Sequence, residues 1–193
     1  EAFGARVGAL PGNSAVSSAR DGAVEQLKLL GLPTRRVEAW HYTDLRTLLR
    51  QIPAGGDLGM SVFGPLVNGS TLLRLLEGEA QTVKAPEGVT VTALAAKLED
   101  GTFARALTLR GEDDAIGAIN TAFLTNGYHV AIASDTVLEM PLEVQNIAAA
   151  ESHTRLAFNI GSGVKATIID RQLGCDAFVS AITHVMLGEG AEI

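Results

Sequence analysis

The sequence predicts a mixed fold, an α-helical N-terminal domain followed by the first stacked β-rungs of a solenoid. Three observations predict it. Apolar residues recur at steps of three and four in the first third of the chain. After Gly127 the period changes to two, with β-branched and apolar residues alternating with polar ones. Turn-like quartets also recur in this second half: Ser134-Asp135-Thr136-Val137, Gly161-Ser162-Gly163-Val164 and Gly188-Glu189-Gly190-Ala191 start 27 residues apart (134, 161, 188).

Asn13 or Ser14 caps the first helix, whose stripe is Val16, Ala19, Ala23, Leu27 and Leu30. Gly31 and Pro33 stop it. A second helix starts near Thr43-Asp44 on Leu45, Leu48, Leu49 and Ile52, and Pro53-Ala54-Gly55-Gly56 ends it. Residues 1–68 are read as the helical domain and 69–127 as a mixed α/β connecting region. In the latter, Thr71–Leu76 and Val89–Val91 read as strands, and Leu94, Ala95 and Leu98 as a short helix ended by Gly101. A clearer helix follows Glu112-Asp113-Asp114, acids suited to a helix N-terminus, with Ile116, Ile119 and Phe123 as its apolar face and Asn126-Gly127 as its end.

Residues 128–193 are read as the rungs. Leu156, Phe158 and Ile160 alternate with polar or small neighbours, as do Val164, Ala166 and Ile168, and strand character continues from Ala177 to Leu187. The 27-residue step aligns Ala131, Phe158 and Val185, then Ala133, Ile160 and Leu187, then Val137, Val164 and Ala191, all apolar. Stacked rungs place each column in one core; a meander of hairpins with the same spacing is the alternative. Ile193 falls just after a turn, so the chain is expected to be the N-terminal part of a longer protein. Strand edges near Ala177 to Ile193 are then expected to allow self-association.

A net charge of -7 is a poor match to nucleic acid, which needs clustered Lys and Arg. No apolar run approaches the roughly 20 residues that span a bilayer, and no signal-peptide pattern opens the chain, so no membrane role is expected. The single cysteine, Cys175, excludes an intrachain disulfide and suits a reducing, cytoplasmic setting. His41, His129, His153 and His184 lack zinc-site spacing, so no metal ligands and no resident cofactor are expected. Gly161-Ser162-Gly163 has no following helix to make a dinucleotide loop, and no Gly-x-Ser-x-Gly elbow is present. No catalytic residue is therefore assigned.

The most informative stretch is Gly31-Leu32-Pro33-Thr34-Arg35-Arg36-Val37-Glu38-Ala39-Trp40-His41-Tyr42-Thr43-Asp44-Leu45. It is a helix stop, an extended Pro-containing turn, and a Trp/Tyr pair entering a new helix. Two aromatics bury much area in few residues, so both are expected to anchor the helical cap. Arg35 and Glu38 have the spacing for a surface pair, which contributes little.

Gly31, Leu32, Pro33, Thr34, Arg35, Glu38, Trp40, Tyr42, Thr43 and Leu45 resemble the signature of the SufB/SufD family of iron–sulfur cluster assembly scaffolds, its SufD branch in particular. Arg36 stands where the signature has Lys. Ala118–Phe123 and Val185–Ala191 resemble later segments of the family, weakly taken alone. The resemblance implies an N-terminal helical domain, a right-handed parallel β-helix and a C-terminal helical domain. It implies a non-catalytic scaffold that pairs with SufB and with the SufC ATPase, a nascent iron–sulfur cluster being built on the complete assembly. The ATPase-docking and cluster-site segments of that family have no counterpart in these residues.

Two other functions fit less of the sequence. One is a protein-interaction solenoid unrelated to cluster assembly, from which the Trp40 stretch separates this chain. The other is a carbohydrate-active enzyme, which needs paired carboxylates and stacking aromatics on the solenoid face. Tyr128, Phe158 and Phe178 are the chief aromatics available there.

Overall fold

The computed structural model describes residues 2–57, 63–111, 113–174 and 176–193. The N-terminal part is helical: α1 (Ala2–Arg6), α2 (Ser14–Leu30), a 3-10 turn at Glu38–Trp40 and α3 (Leu45–Leu48). Strands β1 (Thr71–Leu76), β2 (Glu79–Ala80) and β3 (Val89–Ala93) follow, then α4 (Leu94–Glu99), a 3-10 turn at Ala104–Leu107 and α5 (Ala115–Phe123). The chain ends in β4 (Asn126–Ile132), β5 (Leu142–Ala148), β6 (Ser152–Ile160), β7 (Ile168–Gly174) and β8 (Val179–Leu187).

The strands form two four-stranded mixed sheets, ordered β2-β1-β5-β7 and β3-β4-β6-β8. β1 meets β2, and β3 meets β4, antiparallel; the other ladders are parallel. From β4 onward the chain alternates between the two sheets. Their facing sides share one core, in which Leu73, Leu142 and Val144 meet Tyr128, Val130, Leu156 and Phe158. The Tyr128 hydroxyl finds carbonyl acceptors at Arg74 and Gln81, each at 2.7 Å, so a polar tip is satisfied inside an apolar layer.

This architecture corrects the expected one. A helical N-terminal domain leading into a right-handed parallel β-helix is not what the structure shows. It is an α/β fold in which each mixed sheet ends in an antiparallel pair, and three strands lie between two groups of helices before β4 begins. Strand formation begins at Thr71, so three strands from the first half of the chain complete the sheets. The 27-residue register is right between β6 and β8, where Phe158 faces Val185 and Ile160 faces Leu187. It fails by one residue between β4 and β6: Val130, not Ala131, faces Phe158, and Ile132, not Ala133, faces Ile160. Likewise Val137 bridges to Lys165, not to Val164, and is 62% exposed. A one-residue slip turns every side chain to the other face. The run Val130-Ala131-Ile132-Ala133 is apolar in both parities, so its composition does not choose between them.

The helices are where capping chemistry predicts. Asn13 accepts from Ala15 and Val16 N–H, Asp44 from Thr47 N–H, and Asp114 from Gly117 N–H. Gly31, at φ 70°, ends α2 with its N–H on the Leu27 carbonyl. α3 is shorter than the apolar pattern suggested, which leaves Leu48 63% and Ile52 45% exposed. Asn126-Gly127, read as a helix end, instead opens β4. Gly127 is needed there because a Cβ would collide with the Arg155 carbonyl oxygen.

Helix α5 is fixed by buried polar groups on both sides. Arg20, on the apolar stripe of α2, donates to the carbonyls of Thr121, Ala122 and Leu124 at 2.8–3.1 Å, and to that of Pro11 at 2.8 Å. From β6, Arg155 donates to Asn120 Oδ1 at 2.6 Å, to Thr121 Oγ1 and to the Ala106 carbonyl at 2.8 Å. Asn120 in turn donates to the Thr154 and Ser180 carbonyls, joining α5 to β6 and β8. Burial lowers both guanidinium groups to about 10, so each remains charged at neutral pH.

On the other sheet, the buried Glu143 of β5 accepts from Leu66 N–H at 2.6 Å and from Gln145 and Arg171 at 2.7 Å each. Burial raises its pKa, but the hydrogen bonds from Gln145, Arg171 and Leu66 outweigh that and hold it below its ordinary value. Glu151 is held low first by its hydrogen bond from Arg6.

Two predictions follow from these networks. Asn120→Ala removes the acceptor of Arg155 Nε and the donor to two carbonyls, and should cost about 2–3 kcal/mol in urea denaturation. Glu143 and Glu151 have depressed folded-state values, so their contribution is complete above the unfolded carboxyl value of about 4.3 and is lost as pH falls through the folded values. Glu143→Gln should therefore flatten the acid limb of a stability-versus-pH curve below about pH 4.

Candidate functional site

The stretch from Gly31 to Leu45 wraps the C-terminal end of α2 and the N-terminal half of α5. Its turns are closed by backbone bonds: Val37 N–H to the Thr34 carbonyl at 3.0 Å, Trp40 N–H to Val37 at 2.8 Å and Thr43 N–H to Trp40 at 2.8 Å. Arg46 N–H reaches the Pro33 carbonyl at 3.2 Å, which folds the stretch back on itself. Thr34 Oγ1 accepts from Arg36 N–H at 3.4 Å. Pro33 presets the extended entry, and Asp44 nucleates the single turn of α3.

The inner side of this stretch is a small apolar cluster. Leu45 is buried with Ala115 and Ile119, and Leu32, Trp40, Leu49 and Phe123 pack around them. Trp40 is half-buried rather than enclosed. Tyr42 departs from the expected aromatic anchor: it is 91% exposed and stands edge-on to His41 at 4.8 Å between ring centres. One ring of the pair therefore holds the loop down while the other faces solvent. Arg35 and Glu38 are both exposed and make none of the ion pairs found among the described residues.

Between α2, the Pro33–Val37 segment and α5 lies a groove of about 310 Å³. Leu27, Leu30, Pro33, Val37 and Ala115 give it an apolar lining, with Asp113 and Gln26 at its margin. Leu29 at 84% exposure, Leu30 at 54% and Leu48 at 63% extend apolar surface around it. Residues 35–50 carry Arg35, Arg36, Arg46 and Arg50 against Glu38 and Asp44, a local excess of positive charge in an acidic chain. The arrangement offers contact area and charge but no nucleophile, acid–base pair or ligand set.

The other candidates lie apart from this groove. His153 is buried, with Nε2 2.8 Å from Glu151 and its ring stacked on Phe123, and Arg6 holds the same carboxylate through two contacts. Burial keeps its pKa below the ordinary value despite that carboxylate. His129 and His184 occupy one register column, each opposite Ala157. Gly161-Ser162-Gly163 is a turn with Gly163 at φ 68°. Tyr128 and Phe158 are 2% and 1% exposed, so neither ring is available to stack on a sugar. Cys175 and Glu112 lie outside the described residues. No group of three or more His, Cys, Asp or Glu able to hold a metal ion occurs among the described residues.

Sequence reasoning passed over the buried polar residues Arg20, Asn120, Glu143 and Arg155. For Arg20 a signal existed: it lies four residues after Val16 and three before Ala23, on the buried stripe of α2.

The chain matches no protein-family model and no curated protein. Among the described residues, no helix is long and apolar enough to cross a membrane.

Because Trp40 is half-buried and Tyr42 exposed, truncating the two rings should have unequal effects. Trp40→Ala should lower stability by about 2 kcal/mol, below the range for a fully enclosed aromatic. Tyr42→Ala should change it by less than about 0.5 kcal/mol. Equilibrium denaturation followed by circular dichroism checks both.

Proposed function

We propose that this chain is a non-catalytic, cytoplasmic scaffold subunit of an iron–sulfur cluster assembly complex, related to SufD. In this reading the complete protein pairs with SufB and a SufC-type ATPase, the ATPase contact lying outside these residues, and the nascent cluster is cargo of the complete assembly, not a group held by this chain. The observation that carries the reading is how the signature residues are used. Gly31 and Pro33 line an apolar groove together with Val37 of the same stretch, Trp40 and Leu45 pack against α5, and Tyr42 stands in solvent. A segment packed on one side with an exposed aromatic on the other suits a subunit interface more than a reaction centre.

The local positive excess suits one occupant in this reading, an apolar segment of the SufB-type partner flanked by carboxylates. The broader alternative is an interaction module unrelated to cluster assembly. An anaerobic co-purification of the native protein with SufB- and SufC-type proteins separates the two. The scaffold reading expects all three to co-elute, with Val37→Asp or Tyr42→Asp reducing SufB retention at least about tenfold, the equivalent of one good interface contact. Retention of neither protein by the unsubstituted chain would sink it. The 193-residue chain by itself should hold no stable cluster absorbance, since clusters are generally bound by several thiolates and this chain has one cysteine.

A further inference from the structure

A second cleft, on the outer face of the β3-β4-β6-β8 sheet, has the chemistry of an anion site. It measures about 490 Å³ and lies beneath α4 and the segment running from Thr102 to Arg110. Its floor is a single register column, His129 opposite Ala157 opposite His184. Adjacent strands are about 4.8 Å apart, so the two imidazoles are rooted about 10 Å apart with only a methyl group between them. Asn159 projects beside this column, and its Nδ2 is 3.1 Å from His129 Nε2. The roof contributes Lys97, Phe103 and Arg110.

The charge distribution points one way. None of the described residues lining the cleft is acidic, although acids outnumber bases in the chain, 22 to 15. Lys97 is half-buried, and neither it nor Arg110 makes an ion pair among the described residues. The buried Arg155 lies close enough to act on His184, and its own hydrogen bonds go to neutral oxygens of Asn120, Thr121 and Ala106. Asp114 is the acid that acts on Arg155, and Asp100 the one beside Lys97; neither lines the cleft. His184 Nε2 is sealed from solvent and has no hydrogen-bond partner. Burial, then Lys97, lowers His129; burial, then Arg155 and Arg110, lowers His184.

Lys97 is half-buried and Arg110 reaches in from the exposed rim, so an anion entering the cleft meets two cations that have no ion-pair partner among the described residues. The volume far exceeds that of a single ion, since one water occupies about 30 Å³. Phe103 and Ala157 add apolar wall. Donors that come from the roof and from two separated strands suit a tetrahedral oxyanion better than a planar carboxylate. We propose that this cleft binds a small organic phosphate, its phosphate held by Lys97 and Arg110 with support from Asn159 beside the His129–His184 column, and its apolar part against Phe103 and Ala157. The site is independent of the Gly31–Leu45 groove.

Isothermal titration with phenyl phosphate, inorganic phosphate, benzoate and benzyl alcohol tests this, alongside the histidine ring resonances by NMR. Phenyl phosphate should bind at least about tenfold more tightly than the other three, a factor worth about 1.4 kcal/mol. The ring signals of His129 and His184 should move while that of His41 stays. Lys97→Met, which keeps the apolar stem, and Arg110→Ala should each weaken binding about tenfold, and Lys97→Arg should retain it. Unchanged far-ultraviolet circular dichroism confirms that the variants fold. No binding, equal affinity for benzoate or inorganic phosphate, indifference to both substitutions, or shifts confined to His41 would each overturn the assignment.

Discussion

Two buried guanidinium groups hold α5, and the other layers are arranged around that helix. The last carbonyls of a nine-residue helix have no partners within it and carry the negative end of its dipole. Arg20 supplies donors to three of the carbonyls from Thr121 to Leu124, in a place water does not reach. Arg155 approaches from β6 and satisfies Asn120, Thr121 and the Ala106 carbonyl. Among the described residues neither guanidinium has a carboxylate in contact; oriented oxygens take the place of a counter-ion. Breaking such a set strands charge in the interior, which costs far more than its formation contributes.

This clamp also sets the geometry of the surfaces. Because α2 is tied through Arg20 to α5, the loop after Gly31 must fold across both helices, and Trp40 and Leu45 settle against Ala115 and Ile119. The apolar groove is the gap left where that loop bridges them. Because Arg155 is tied to Ala106, the segment from Thr102 to Arg110 is drawn down over the outer sheet face, and Lys97 and Arg110 are brought above His129 and His184. One polar network thus helps position both the apolar groove and the cationic cleft.

The sheets add a separate constraint. Parallel ladders in which neighbours come from alternating passes of the chain require loops of matched length, yet the pairing steps differ: Val130 pairs with Phe158 and Phe158 with Val185, while Leu142 pairs with Ile168. A strict repeat would put equal steps throughout. The antiparallel contacts of β2 on β1 and β3 on β4 complete each sheet with strands drawn from before α5. That is why the two halves of the chain share one core between the sheets, from Leu73 to Val164.

Local chemistry was enough to place α2, its cap at Asn13 or Ser14 and its Gly31 stop, the strands at Thr71 and Val89, α4, the acid-capped start of α5, and the inward alternation of Leu156, Phe158 and Ile160. Each depends on neighbours within a few residues: a capping oxygen, a glycine, a period of two or four. The sequence also pointed to the Gly31–Leu45 stretch as the one distinctive segment, because a Trp, a Tyr, a Pro and a Gly seldom fall so close together without a shared task. It did not determine the fold class, since long-range pairing decided that: a run such as Val130–Ala133 fits two registers, and nothing local announces that β3 will lie antiparallel to β4. Nor did it reveal which aromatic of the stretch is exposed, or that Lys97, Arg110, His129 and His184 converge. Those four residues span nearly ninety positions (97 to 184): the sheet ladder brings His129 and His184 into one column, and the roof that Arg155 helps hold in place brings Lys97 and Arg110 over it. Electrostatic sites of this kind arise from tertiary approach, in which charges distant along the chain acquire a common, desolvated space.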